Sequence, residues 1–204
     1  MTSINLANLP EFLPQPVILQ SEKVTLRPLS VDDVEGFFQA GHDPQLWQWV
    51  VPNQCESLAT AQKWIETSLE ALQNGEQVPF VIVDRASKRI VGSTRYCTIE
   101  LADRGIEIGF TFISPEFQRS YINTHAKFLL LQHAFEALGA IRVQLKTHEN
   151  NLQSRKAIAR IGGVFEGIVR HQRIQSNGLI RNTALFSITN EEWPQVKINL
   201  SQSL

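Results

Sequence analysis

Cysteine, glycine and proline are all scarce in this 204-residue chain, and neither sign of charge dominates it. Two cysteines, Cys55 and Cys97, are too few for a disulfide framework and lack the spacing of a zinc site, so they read as reduced thiols. Eleven glycines and nine prolines are far below what collagen-like or low-complexity chains contain. The 19 basic and 20 acidic residues leave a net charge of −1, which argues against a dedicated nucleic-acid binder. No stretch reaches the ~18 uninterrupted apolar residues of a spanning helix. Residues 1–16 have neither the basic start nor the apolar run of a secretory signal. The cytoplasm is the expected compartment, with no membrane and no nucleic acid among the expected partners.

What the chain does have is 43% apolar residues with 19% charged, the composition of a compact soluble domain able to bury a core. Residues 23–29 alternate Val24 and Leu26 with Thr25 and Arg27, as in a half-buried strand. Ser30 followed by Asp33 is a capping-box-like helix start, with Val34, Phe37 and Phe38 behind it. Residues 43–54 read as an irregular loop rich in tryptophan and proline. Ser57 then caps a helix in which Ala61, Trp64, Ile65, Leu69 and Leu72 recur at helical spacing until Asn74 and Gly75.

Residues 80–83 and 89–92 flank a polar turn and predict an antiparallel hairpin, its second arm running on towards Glu100. A strand over 106–113 closes at Pro115. A helix carrying Phe128, Leu131, Phe135 and Leu138 follows and ends at Gly139. Ile141, Val143 and Leu145 alternate as a strand, and Asn150 or Asn151 caps a short helix ending at Gly162 and Gly163. Strands over 164–174 and 179–188 meet at Asn177 and Gly178, whose positive φ angles would make a tight turn.

A strand that enters a polar loop and then a helix can hold phosphates, because the first helical turn leaves N–H groups unpaired and the peptide dipoles favour negative charge. Residues 118–124 have that arrangement. Glu107 lies on the preceding strand, and an Asn-x-x-Ser group, Asn151 to Ser154, opens the next helix. With 107–109, 114–118, Lys127, residues 129–131, 142–143, 151–154, 161–163 and 166–167, the chain resembles the GNAT superfamily of acetyl-CoA-dependent N-acetyltransferases, in the RimJ/RimL-type branch that acetylates ribosomal-protein N-termini. The resemblance runs from about residue 19 to 197. It divides the chain into an extension, 1–18, one domain, 19–198, and a tail, 199–204.

The resemblance implies an α/β fold, a single domain with a mixed, twisted central sheet that splays in the middle, flanked by helices and closed by a C-terminal β-hairpin. It implies acetyl-CoA as the acetyl donor, with no metal. Gln118, Arg119, Ser120, Tyr121, Ile122, Asn123 and Thr124 would wrap the pyrophosphate, and the pantetheine arm would run beside Phe112 and Ile113. Asn151 would bond the pantetheine amide and Ser154 would protonate the departing thiolate, although both also suit plain helix capping. Glu107 would accept the proton of the amine. By strand alternation it shares a face with Gly109, whose small size leaves room for a substrate.

One departure stands out: Tyr121 and Asn123 occupy positions where the family's loop carries small residues, and a side chain there can block a phosphate. A non-catalytic acyl-CoA sensor on the same fold is therefore the alternative to a transferase. A nucleotide-binding protein of another class would need a G-x-G-x-x-G or P-loop pattern, and neither occurs. The acceptor expected is an amine, either a peptide N-terminus or a small molecule, and a homodimer is the default assembly. Trp47, Trp49 and Trp64 fit either core packing or the wall of an acceptor pocket. The histidines read as structural or surface residues, and Arg170, Arg173 and Arg181 as solvating the terminal hairpin.

Overall fold

The computed structural model describes residues 9–50 and 52–204. Two strands open the fold, β1 (Leu19–Gln20) and β2 (Val24–Pro28), with Val24 and Leu26 buried as the alternation requires. Ser30 and Asp33 form the expected capping box. It starts a short 3-10 turn, Val31–Asp33, and the helix proper, α1 (Val34–Gly41), begins one residue later. The loop over 43–54 contains a 3-10 turn, Pro44–Trp47, and its residue Val51 lies outside the described residues. In α2 (Leu58–Gln73), the Ser57 hydroxyl accepts from the Thr60 N–H at 3.1 Å, which satisfies a first-turn donor.

An antiparallel meander follows: β3 (Val78–Asp84), β4 (Ile90–Glu100) and β5 (Gly105–Ile113). The helix after it, α3 (Ile122–Gln132), widens into a π-helical stretch over His133–Ala137 before Gly139 ends it with φ +65°. Then come β6 (Arg142–His148), α4 (Leu152–Arg160), β7 (Val164–Ile174), β8 (Ile180–Thr189) and α5 (Trp193–Ser201). At the β7–β8 turn only Gly178 takes a positive φ, +81°. Asn177 instead uses its side-chain oxygen to accept from the Leu179 N–H, so the tight turn with two left-handed residues is replaced by a longer one.

All strands join one mixed sheet in the order β1-β2-β3-β4-β5-β6-β8-β7, in which β5 and β6 form the parallel pair. Residues of β5 reach both faces. Ile106 and Ile108 pack with Ile122, Leu130 and Leu131 of α3, while Phe112 packs with Phe37, Trp47 and Ile65 of the α1–α2 side. Truncating a fully buried member such as Leu130 to Ala would cost about 2–5 kcal/mol.

The two ends of the chain dock on this domain. Phe12, from the expected extension, is buried in the core beneath Arg104. Residues 1–8 of that extension lie outside the described residues. Helix α5 runs across the boundary expected at 198, and its Leu200 is buried together with Trp193 and Val196. No helix among the described residues is long and apolar enough to cross a membrane.

Candidate active site

The sheet parts where its parallel strands meet. β5 and β6 pair only at Gly105–Arg142, Ile106–Val143 and Glu107–Gln144, whereas β6 stays paired to β8 along its whole length. Beyond Glu107 the two strands diverge, as the resemblance implies. One extra residue sits in β5 between the positions facing Arg95 and Ser93, and Phe110 there has φ +49°. This bulge re-aims the strand end. Because the Ser114 N–H bonds back to Val91 at 2.8 Å, alternation turns the Ile113 main chain away from β4 and into the opening. Its carbonyl accepts there from Gln118 Nε2 at 3.1 Å.

The loop over 118–124 lies at the mouth of that opening. Arg119 takes the left-handed conformation, φ +57°, and the Ser120 hydroxyl donates to the Phe117 carbonyl at 2.6 Å. Tyr121 is the first of the two side chains by which this loop departs from the resemblance. Its hydroxyl donates to Asp84 Oδ1 at 2.7 Å, which carries the ring towards β3. The Ser120 hydroxyl accepts from the Ile122 N–H at 3.3 Å, and the N–H groups of Asn123 and Thr124 have no protein acceptor among the described residues. That is the donor arrangement an anion needs. Gln153 Nε2 donates to Gln118 Oε1 at 3.3 Å and so ties the first turn of α4 to this loop.

At the start of α4 the capping role of Asn151 is present: its Oδ1 accepts from the Ser154 N–H at 3.0 Å. The Ser154 hydroxyl has no hydrogen-bond partner among the described residues. Glu107, 9% exposed, stands at the last paired position of β5. Its Oε2 accepts from Lys146 Nζ at 2.9 Å and from Thr98 Oγ1 at 3.0 Å. Its Oε1 has no hydrogen-bond partner among the described residues and faces Gly109, where an added Cβ would lie 3.1 Å from both Oε1 and Cys97 Sγ. The shared face expected for Glu107 and Gly109 is therefore present. Burial, and after it the charge of Glu107, pushes the Cys97 thiol up to about 12, so it is no nucleophile near neutral pH.

On the α1–α2 side of β5 lies an aromatic hollow lined by Trp47, Trp64, Phe110 and Phe112 with Leu46 and Thr111. Trp49 is not among its lining residues; it packs on the His148 ring at 4.8 Å between centroids. Behind Phe110 sits Arg95, 3% exposed, its guanidinium 4.0 Å from the Trp64 ring centroid and 4.6 Å from that of Phe110. The sequence reading gave no role to Arg95, Thr98 or Lys146. Arg95 stands between Thr94 and Tyr96 in a β4 sequence of mixed polarity, so no local pattern singled it out. The lysine and the threonine become meaningful only once the strands are paired. His125 and His133 are structural: the first meets Ser21 Oγ at 2.9 Å, the second Tyr96 Oη at 3.3 Å, and burial lowers the pKa of both. No group of three acidic, histidine or cysteine side chains among the described residues is gathered as a metal site would require.

A mixed sheet parted between its parallel strands, with a helix start that keeps free N–H groups at the mouth of the gap and a carboxylate where the gap begins, is the architecture of an acetyl-group transferase. The chain belongs to the GNAT family: residues 23–164 match the family model described as "Acetyltransferase (GNAT) domain". It is 25% identical over 171 residues to "Uncharacterized N-acetyltransferase YoaA" of Bacillus subtilis (strain 168), covering 84% of this chain and 96% of that protein. Among solved structures, a GCN5-related N-acetyltransferase from Brucella melitensis superposes with TM-score 0.88 at 30% identity, over 97% of this chain and 90% of that one. Mycobacterium smegmatis RimJ in complex with CoA-disulfide shares the fold, with TM-score 0.77 at 22% identity over 96% and 97% of the two chains.

Proposed function

We propose that the protein moves an acetyl group from acetyl-CoA to an amine, a peptide N-terminus or a small molecule, by direct attack in a ternary complex. The observation that carries this reading is the position of Glu107. It lies where β5 and β6 part, with Oε1 open beside Gly109, so a donor in the gap and an amine from the aromatic hollow would meet next to it. The CoA-disulfide bound by the Mycobacterium smegmatis relative supports the choice of donor.

In this reading the donor, when bound, supplies a thioester carbonyl as the electrophile. Gln118, Arg119, Ser120, Tyr121 and Ile122, with the free first-turn N–H groups of Asn123 and Thr124, hold the pyrophosphate. The Phe112 and Ile113 main chain and Asn151 hold the pantetheine arm, and the Ile113 N–H turned into the gap meets the negative charge developing on the carbonyl oxygen. Glu107 accepts the proton released as the nitrogen–carbon bond forms. Ser154 gives a proton to the sulfur as the carbon–sulfur bond breaks. Holding both partners in place supplies most of the acceleration, and Glu107 adds ~10²-fold to ~10⁴-fold.

The non-catalytic sensor is weakened as an alternative because Tyr121, one of its two grounds, is engaged by Asp84 away from the helix start. Purified protein incubated with acetyl-CoA and a panel of peptides, amino acids and polyamines tests the reading. Thiol release should appear together with an acetyl mass gain on an acceptor. Binding of acetyl-CoA with no product from any acceptor would favour the sensor, and no binding at millimolar concentration would overturn both.

A further inference from the structure

Two arginines of the terminal hairpin stand opposite each other. Arg173 of β7 pairs with Arg181 of β8, a register set by a bulge in which His171 takes φ +51°. Directly opposed like charges on an antiparallel pair are destabilising, so an uncompensated pair needs a reason. Neither guanidinium has a carboxylate within ion-pair distance among the described residues, and Arg181 Nε is buried with no partner. Burial first, and then the charge of Arg173, lowers the pKa of Arg181, while Glu107 acts on it in the opposite sense.

The same cluster extends towards the aromatic hollow. Arg173 lies 6.0 Å from the Phe110 ring centroid, and Arg95, whose Nε is likewise buried without a partner, lies 4.6 Å from it. Phe110 itself is 42% exposed. Facing this region are the cations Arg95, Lys146, Arg173 and Arg181 and the carboxylate Glu107, which Lys146 already pairs at 2.9 Å. Glu149, just past the end of β6, accepts from the Asn182 amide of β8 at 2.9 Å. The acceptor side thus holds a surplus of positive charge with guanidinium forks that lack an oxyanion.

We infer that the acceptor carries, near its amine, an oxyanion (carboxylate or phosphate) that Arg173 and Arg181 bind while the amine turns to Glu107. This rests on the acetyl-transfer reading and narrows it to amines of mixed charge. Polycations such as polyamines are excluded by the same field. A guanidinium fork matches a carboxylate or phosphate in two parallel hydrogen bonds, which gives the pair geometric as well as electrostatic selectivity.

The test uses the purified full chain with acetyl-CoA and four short peptides that differ only at the second residue: Asp, phosphoserine, Asn or Lys. We expect kcat/KM for the Asp or the phosphoserine peptide to exceed that for the Asn peptide by ~10-fold, with the Lys peptide poorest. The better of the first two identifies carboxylate or phosphate. Arg173→Gln and Arg181→Gln should each bring the ratio of anionic to neutral peptide towards one, and added salt should narrow it. A loss of packing alone would not change that ratio. Equal use of the Asp, phosphoserine and Asn peptides, or a preference that survives both substitutions, would overturn the inference and leave acetyl transfer standing. If none of the four peptides is acetylated, a peptide N-terminus is ruled out as the acceptor, and transfer to a small-molecule amine is judged by the wider acceptor panel above. Calorimetric titration of the N-acetylated peptides then judges the arginine pair alone, and equal affinity for anionic and neutral forms would overturn it.

Discussion

Lys127 of α3 is fully enclosed. Its ammonium donates to Thr111 Oγ1 at 2.6 Å and to Thr94 Oγ1 at 3.3 Å, with no carboxylate in reach among the described residues. Burial lowers its pKa to about 7, against an ordinary value near ~10.4 in the unfolded chain. Between those values the unfolded chain binds the proton and the folded chain does not, so this group adds stability as pH rises. From pH 7 to 8.5 the slope integrates to roughly 2 kcal/mol. For a chain of this size that is about 4 °C in Tm. The window stops at 8.5 because Cys55 and Cys97, each raised to about 12 by burial, act with the opposite sign above the ordinary thiol value. The assay is differential scanning calorimetry of the parent and Lys127→Met at pH 7 and 8.5. The parent should gain about 4 °C relative to the variant across that interval, whatever the constant offset from packing. Parallel Tm profiles would refute a depressed lysine and the enclosure argument with it.

Other substitutions probe the gap directly. Glu107→Gln should lower kcat by ~10²-fold to ~10⁴-fold, most strongly at low pH where the amine is protonated, while the Tm gain on adding acetyl-CoA stays as in the parent. Unchanged turnover at every pH would remove Glu107 from the chemistry. Ser154→Ala should cost less, no more than ~10-fold in kcat with saturating acceptor, and no loss would return Ser154 to the helix start alone. Gly109→Ala puts a methyl 3.1 Å from Glu107 Oε1 and Cys97 Sγ. Its kcat should therefore fall with little change in acetyl-CoA affinity, and an unaltered kcat would mean the carboxylate is not confined there.

Local chemistry was readable wherever a side chain acts on its own neighbourhood. Ser30, Ser57 and Asn151 cap the helices they were expected to cap, and β3 through β5 follow their alternation and turns. Helix α5 escaped notice because Pro194, Gln195 and Lys197 interrupt a short apolar face that only docking on α3 makes worthwhile. The partners of Glu107 and the opposed arginines depend on strand pairings between residues 39 and 8 positions apart, set by a parallel register and a bulge that no local pattern encodes. The direction of the Tyr121 ring was likewise hidden, since Asp84 lies 37 positions away in sequence. The splay was expected through the resemblance and is realised as only three paired positions.

Those three positions join the meander of β1 to β5 to the strands β6, β8 and β7. Main-chain bonding across the seam is sparse, so each side can open without first breaking a long ladder, and the seam is the natural border between two cooperative units. A molecule lodged there acts as a keystone, touching both halves at once. Its binding energy then appears in the cohesion of the whole sheet and not only in occupancy of a cleft.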